Sequence, residues 1–144
     1  MFSNVYHHTI EWGDCDPAGI VFYPRFHAMF DAATARLLEA ASGMTRVELI
    51  WHYGIIGWPM VRAVTDCMKP VTFDDRVEIS TVVERIGRSS LLFAHTLQHN
   101  DVTCVLATET RVWTARGDGA RALRSLPLPD QLRAQLSAER EGGK

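Results

Sequence analysis

The 144-residue chain has no apolar run approaching the roughly 20 residues of a membrane-spanning helix, so no membrane partner is expected. Cysteine is scarce: Cys15, Cys67 and Cys104 are odd in number and lack zinc spacing. A disulfide scaffold and a zinc ribbon are excluded, and reduced thiols in the cytoplasm are expected. An excess of either charge is missing too, since 15 Lys and Arg face 17 Asp and Glu, a formal net charge of −2. That balance argues against a broad nucleic-acid-binding surface. The chain carries no Walker or dinucleotide-type glycine pattern, no internal repeat and no low-complexity tract. Met1 to Trp12 is polar and alternating, unlike a signal or transit peptide. These absences leave one small soluble domain over residues 1–144, with no cofactor and no metal expected.

What is present is an ordinary core. Hydrophobic residues make up 47% of the chain, with four Trp and six Phe among them. Val5 to Trp12 alternates with period two and predicts a strand. Gly13 to Gly19 (GDCDPAG) is dense in turn formers and predicts a loop. From Pro24 to Ser42 the period changes: Phe26, Met29, Phe30, Ala33 and Leu37 recur at three and four, placing them on one helical face. Pro24 suits the first helical turn and Gly43 the stop. Beyond Gly43 the texture reads as β-rich, with strands expected at Trp58–Val64, Val77–Glu84, Leu91–Leu97 and Thr103–Ala115. Hairpin-like spacing makes the later strands antiparallel. A polar helix is expected over Pro129–Arg140, with fraying from Glu141 to Lys144. The order predicts an α+β fold, an antiparallel sheet wrapped around one long central helix.

Reactive groups are densest in the loop Asp14-Cys15-Asp16-Pro17-Ala18-Gly19. Gly19 allows backbone to approach a ligand closely, and Tyr23-Pro24 opens a helix whose free N–H groups would polarise a carbonyl oxygen. A carboxylate just upstream could attack that carbonyl or activate water. Cap chemistry and catalysis fit the two aspartates equally well on composition alone. Cys15 is read as a small buried side chain, because its acidic neighbours disfavour the thiolate. His7 and His8 face opposite sides of a strand and cannot share one metal from it. Together with His95 and His99 they are read as strand surface residues. Asp31 either pairs with His27 on the helix surface or provides a polar contact at the end of an apolar pocket. Arg85, Arg88 and Arg111 are read as solvated charges, with phosphate binding as the functional alternative.

The stretch from Glu11 to Pro24 (EWGDCDPAGIVFYP), followed by Phe26-His27, Asp31-Ala32-Ala33, Gly54 to Val61 and the Asp74-Asp75 turn, resembles the aspartate-loop type of hot-dog-fold acyl-CoA thioesterases, the 4-hydroxybenzoyl-CoA thioesterase family. The resemblance spans most of the chain. It implies a sheet wrapped on a central helix, a homodimer often paired into a homotetramer, and hydrolysis of an acyl-CoA thioester. It also implies that Asp16 is the catalytic carboxylate, that the Tyr23 N–H points at the thioester oxygen, and that Asp31 contacts an aryl hydroxyl. Arg88 matches one member of the basic cluster that binds the nucleotide end of CoA. Trp58 stands where the family has a small polar residue, so an indole near the acyl pocket is expected to affect which acyl group fits.

The expected activity is therefore hydrolysis of an aryl-CoA thioester, with Asp16 as nucleophile or general base. Two rivals remain: a short- or medium-chain aliphatic acyl-CoA thioesterase, and a non-catalytic acyl-CoA-binding module of the same fold. A dehydratase of this fold fits less well, since no histidine falls in the reactive loop.

Overall fold

In the computed structural model, which describes residues 1–139, one five-stranded antiparallel sheet carries the architecture. Its strands are β1 (Ser3–Thr9), β2 (Met60–Cys67), β3 (Arg76–Ile86), β4 (Ser90–His99) and β5 (Val102–Val112), ordered β1-β3-β4-β5-β2. A short hairpin of β6 (Thr114–Arg116) and β7 (Leu123–Ser125) follows. The long strand expected over Thr103–Ala115 is thus divided after Val112. The last helix was expected to reach Arg140; it spans Asp130–Ser137, and Arg140 to Lys144 lie outside the described residues.

Helix α1 (Pro24–Ser42) has the expected bounds, with Pro24 in its first turn and Gly43 ending it at φ 73°. Its apolar face (Phe26, Met29, Phe30, Ala33, Leu37, Leu38) is buried against the sheet. The expectation of one central helix is incomplete. A second helix, α2 (Arg46–Tyr53), follows where β-rich texture was expected, and α3 (Asp130–Ser137) packs against α1 and β3. Thr45 and Glu48 form a reciprocal capping box at the start of α2, and Gly54 closes it at φ 63°.

The inner face of the sheet alternates as β strands do. One apolar cluster gathers Ile10, Phe26, Met29, Phe30, Ile79, Leu97 and Val105. The other gathers Leu37, Leu49, Trp58, Val83, Phe93, Trp113 and Leu132. Between them the same face carries four buried polar residues: Thr81, His95, Glu109 and Arg111. β1 and β2 are the two edges, and β2 is exposed along most of its length.

Candidate active site

The loop between β1 and α1 is built by its own polar groups. Trp12–Asp14 makes one 3-10 turn. Asp14 Oδ2 accepts from the Glu11 N–H at 2.9 Å and lies 3.1 Å from His8 Nε2 on β1. Burial raises the Asp14 pKa, but the hydrogen bonds from Glu11 and His8 outweigh it and hold the carboxyl below its ordinary value. Asp14 is therefore committed to fixing the loop on the strand. Asp16 is bound differently. Its Oδ1 accepts from the Ala18 N–H at 2.8 Å in an Asx turn, and Oδ2 has no hydrogen-bond partner among the described residues. Gly19 closes the turn at φ 80°, a left-handed conformation that disfavours other residues. Half-buried, Asp16 lines a cavity of about 350 Å³ together with Trp12, Cys15, Pro17, Gly19 and Phe73. Cys15 is half-buried in this wall, more accessible than the fully buried thiol expected for it.

The start of α1 leaves one backbone donor open. Pro24 has no N–H, Arg25 donates to the Phe22 carbonyl at 2.8 Å, and Phe26 donates to Tyr23 at 3.1 Å. The Tyr23 N–H donates to nothing among the described residues, and Tyr23 is 67% exposed. Tyr23 lines an apolar cavity of about 260 Å³ with Ile20, Phe26, Met68 and Val71. Within this chain, Asp16 and Tyr23 open onto separate cavities.

Asp31, one turn beyond His27 on α1, does not pair with it. Asp31 Oδ1 accepts from Arg111 Nη1 at 2.8 Å and Oδ2 from Arg46 Nη1 at 3.0 Å. Arg111, read from the sequence as solvated, is 5% exposed and also forks onto Glu109 Oε2 through Nε at 3.1 Å and Nη2 at 2.8 Å. Glu109 in turn lies 3.3 Å from His95 Nε2, and His95 Nδ1 lies 2.8 Å from the Thr81 hydroxyl. His95 is thus a core residue, 1% exposed and stacked on Phe30 at 4.7 Å, a correction to its reading as strand surface. Burial raises the Glu109 pKa, but the His95 hydrogen bond and the Arg111 charge overcome it and lower the carboxyl net. A polar chain runs from the centre of the sheet through Asp31 to the half-exposed Arg46.

Of the two remaining candidates, Trp58 adjoins the Asp31 cluster and Arg88 does not. Trp58 is 2% exposed, stacked on Trp113 at 6.0 Å, with the Arg46 guanidinium 5.2 Å from its ring centroid. What Trp58 presents toward solvent is therefore Arg46. Arg88 is exposed on the turn after β3. The sequence reading missed Arg46 and Glu109 and placed the buried Arg111 in solvent. A Thr45-x-x-Glu48 capping signature announces α2 and its first residue. Glu109 and Arg111 alternate in step with Val105, Ala107 and Trp113, which marks them as inward-facing.

Comparison with known proteins supplies the context for this geometry. Residues 10–136 match the model of the thioesterase-like superfamily. The chain is 34% identical over 125 residues to the 4-hydroxybenzoyl-CoA thioesterase of Pseudomonas sp. strain CBS-3, covering 83% of this chain and 87% of that one. The solved structure of that enzyme superposes with a TM-score of 0.86 at 26% identity, covering 94% of this chain and 99% of the other. A gentisyl-coenzyme A thioesterase structure superposes with a TM-score of 0.80 at 29% identity, covering 94% and 100%.

Proposed function

Since the chain belongs to the thioesterase-like superfamily and is a thioester hydrolase, we propose that it cleaves an aryl-CoA thioester of the 4-hydroxybenzoyl type into the free acid and CoA. The observation that carries this reading is the division of labour in the loop. Asp14 is spent on His8 and Glu11, while Asp16 keeps an unpartnered carboxylate oxygen in the loop that leads into α1.

A thioester carbonyl set against the Tyr23 N–H gains a hydrogen bond and the partial positive charge of the helix end, roughly half an elementary charge. Both strengthen as negative charge develops on its oxygen, so they stabilise the transition state more than the bound ester. Asp16 then acts in one of two ways. It attacks the carbonyl, expelling CoA as thiolate and leaving an anhydride that water opens, or it takes a proton from water that attacks directly. Both routes are compatible with a leaving thiolate that needs no strong acid behind it. Arg88 is assigned to the nucleotide phosphates of CoA, where a guanidinium pairs with two oxygens at once.

A second copy of the chain completes this site in the proposal, as a homodimer or a pair of dimers. Two features support it. One of the two edges of the sheet is β2, with Met60, Val61 and Val64 exposed. Asp16 and Tyr23 of one protomer also line different cavities, so each is available to a site shared between copies. The three unpaired thiols support a cytoplasmic location.

The test is thiol release from benzoyl-, 4-hydroxybenzoyl- and hexanoyl-CoA. The expected order places 4-hydroxybenzoyl-CoA first. Fastest release from hexanoyl-CoA would replace this reading with an aliphatic thioesterase. Tight binding with no release from any ester would leave a CoA-ester-binding module.

A further inference from the structure

Asp31 is not a lone acceptor: Arg111 holds Oδ1 and Arg46 holds Oδ2. The two arginines differ in access. Arg111 has a side chain 6% exposed, whereas that of Arg46 is 44% exposed beside a 37% exposed Asp31 carboxylate. Resting on the reading above, we infer that Arg46 is a specificity-determining residue, donating to an oxygen at the distal end of the acyl group. It thereby admits oxygens that carry no proton.

The argument is one of donors and acceptors. A bare carboxylate can only accept, so it favours a hydroxyl and repels an ether or ionised phenol oxygen. Arg46 uses one of its five N–H donors on Asp31. Arg46 lines a cavity of about 320 Å³ with Ala28, Ala32 and Ala35 on α1 and with Asp31, Arg36 and Glu39, the last already engaged by Arg36 and by the Arg46 backbone N–H. The pair Arg46–Asp31 thus offers donor and acceptor side by side. A hydroxyl satisfies both, and an alkoxy or phenolate oxygen satisfies the guanidinium.

Arg46 is also held in place before any ligand arrives. It is the first residue of α2, fixed by the Thr45–Glu48 capping box. Its backbone N–H donates to Glu39 Oε1 at 3.0 Å, and its guanidinium lies on the Trp58 ring. Preorganisation of this kind reduces the ordering cost of binding. The position suits the distal end of an aryl group. Asp31 lies eight positions after Tyr23, a rise of about 12 Å along α1. Helical side chains lean back toward the N-terminus, which shortens the remaining gap.

The experiment uses thioether analogues that cannot be cleaved, phenacyl-CoA and 4-methoxyphenacyl-CoA, so it does not depend on turnover. The methoxy oxygen can accept from Arg46 but has no proton for Asp31. The quantity read is the ratio of the two dissociation constants within each variant, because general damage to the fold moves both constants together. Arg46→Met is expected to shift that ratio about tenfold against the methoxy ligand, the size of one hydrogen bond to a charged group. Arg46→Lys, which restores a donor, recovers part of the shift. A ratio unchanged in Arg46→Met overturns the inference. Failure of the thioesterase reading looks different: the esters release no thiol while the analogues still bind with the shifted ratio.

Discussion

Arg111 Nη1 lies 2.8 Å from Asp31 Oδ1, tying the inner face of β5 to the middle of α1 across 80 positions of sequence. The same guanidinium forks onto Glu109 Oε2, so one buried cation is shared by a carboxylate of the sheet and a carboxylate of the helix.

Removing the charge of Glu109 leaves that cation short of a partner in a dry environment. Glu109→Gln is expected to lower the unfolding free energy by about 3 kcal/mol, the range for breaking one side of a buried ion pair. Urea unfolding measures it. A loss below about 1 kcal/mol would mean that Asp31 alone satisfies Arg111.

The acid limb of stability follows from the same groups. Glu109, Asp14 and Glu39 all have carboxyl pKa values held below their ordinary ones. Above the unfolded value, about 4 for these side chains, their stabilising contribution is complete. As pH falls the unfolded chain takes up protons first, and the contribution disappears as pH passes through the depressed native values. The melting temperature is expected to be flat from pH 7 to about 5 and to drop below about 4.5. Glu109→Gln should make that drop shallower; an equally steep drop would remove Glu109 from the account.

Asp16→Asn keeps the shape of the side chain and an oxygen to accept the Ala18 N–H, so the Asx turn survives. It removes both the nucleophile and the base. Turnover is expected to fall by about three orders of magnitude or more, with CoA-ester binding within a few-fold of the parent. Single-turnover thiol release and calorimetric binding separate the two. Turnover near the parent rate would move the chemistry to another group.

Gly19→Ala tests the turn without crowding it. A Cβ there meets nothing within 4 Å, so only the φ of 80° opposes the change. The expected cost is about 1 kcal/mol of stability. A larger loss of kcat than of stability is also expected, because the strain falls next to Asp16. Gly19→Asn, which tolerates left-handed backbone better, should lose less of both.

Sequence pattern carried the parts of the fold that repeat. The three- and four-residue spacing of Phe26, Met29, Phe30, Ala33 and Leu37 located α1 with its bounds, because a buried helical stripe and its Pro and Gly ends are local signals. The loop aspartates were legible for the same reason, and so was Tyr23 at the helix opening. Helix α2 was missed although Thr45-x-x-Glu48 and Gly54 bracket it, because Ile50, Trp51 and Tyr53 read as strand formers once the capping box is overlooked. Alternation with Val105, Ala107 and Trp113 could have turned Glu109 and Arg111 inward, but their joining to Thr81 and His95 in one chain was illegible for a deeper reason. Each member comes from a strand whose register against its neighbour is fixed only by tertiary pairing, as Thr81 opposite His95 shows. Isolated in the sequence, a charged residue in a strand defaults to solvent; only its company on the inner face reverses that.

The asymmetry of Asp31 sets how this pocket can diversify among descendants of the chain. Its inward oxygen is bound to a guanidinium that has almost no access to water, so replacing Asp31 disturbs the core. Its outward oxygen is bound to Arg46, a half-exposed side chain on a short capped helix. With Arg46 in the role inferred for it, substitutions at position 46 are expected to change what the pocket accepts and to leave the buried half of the pair intact. New acyl preferences should therefore arise at the start of α2 more readily than on α1, with the carboxylate kept and its outer neighbour exchanged.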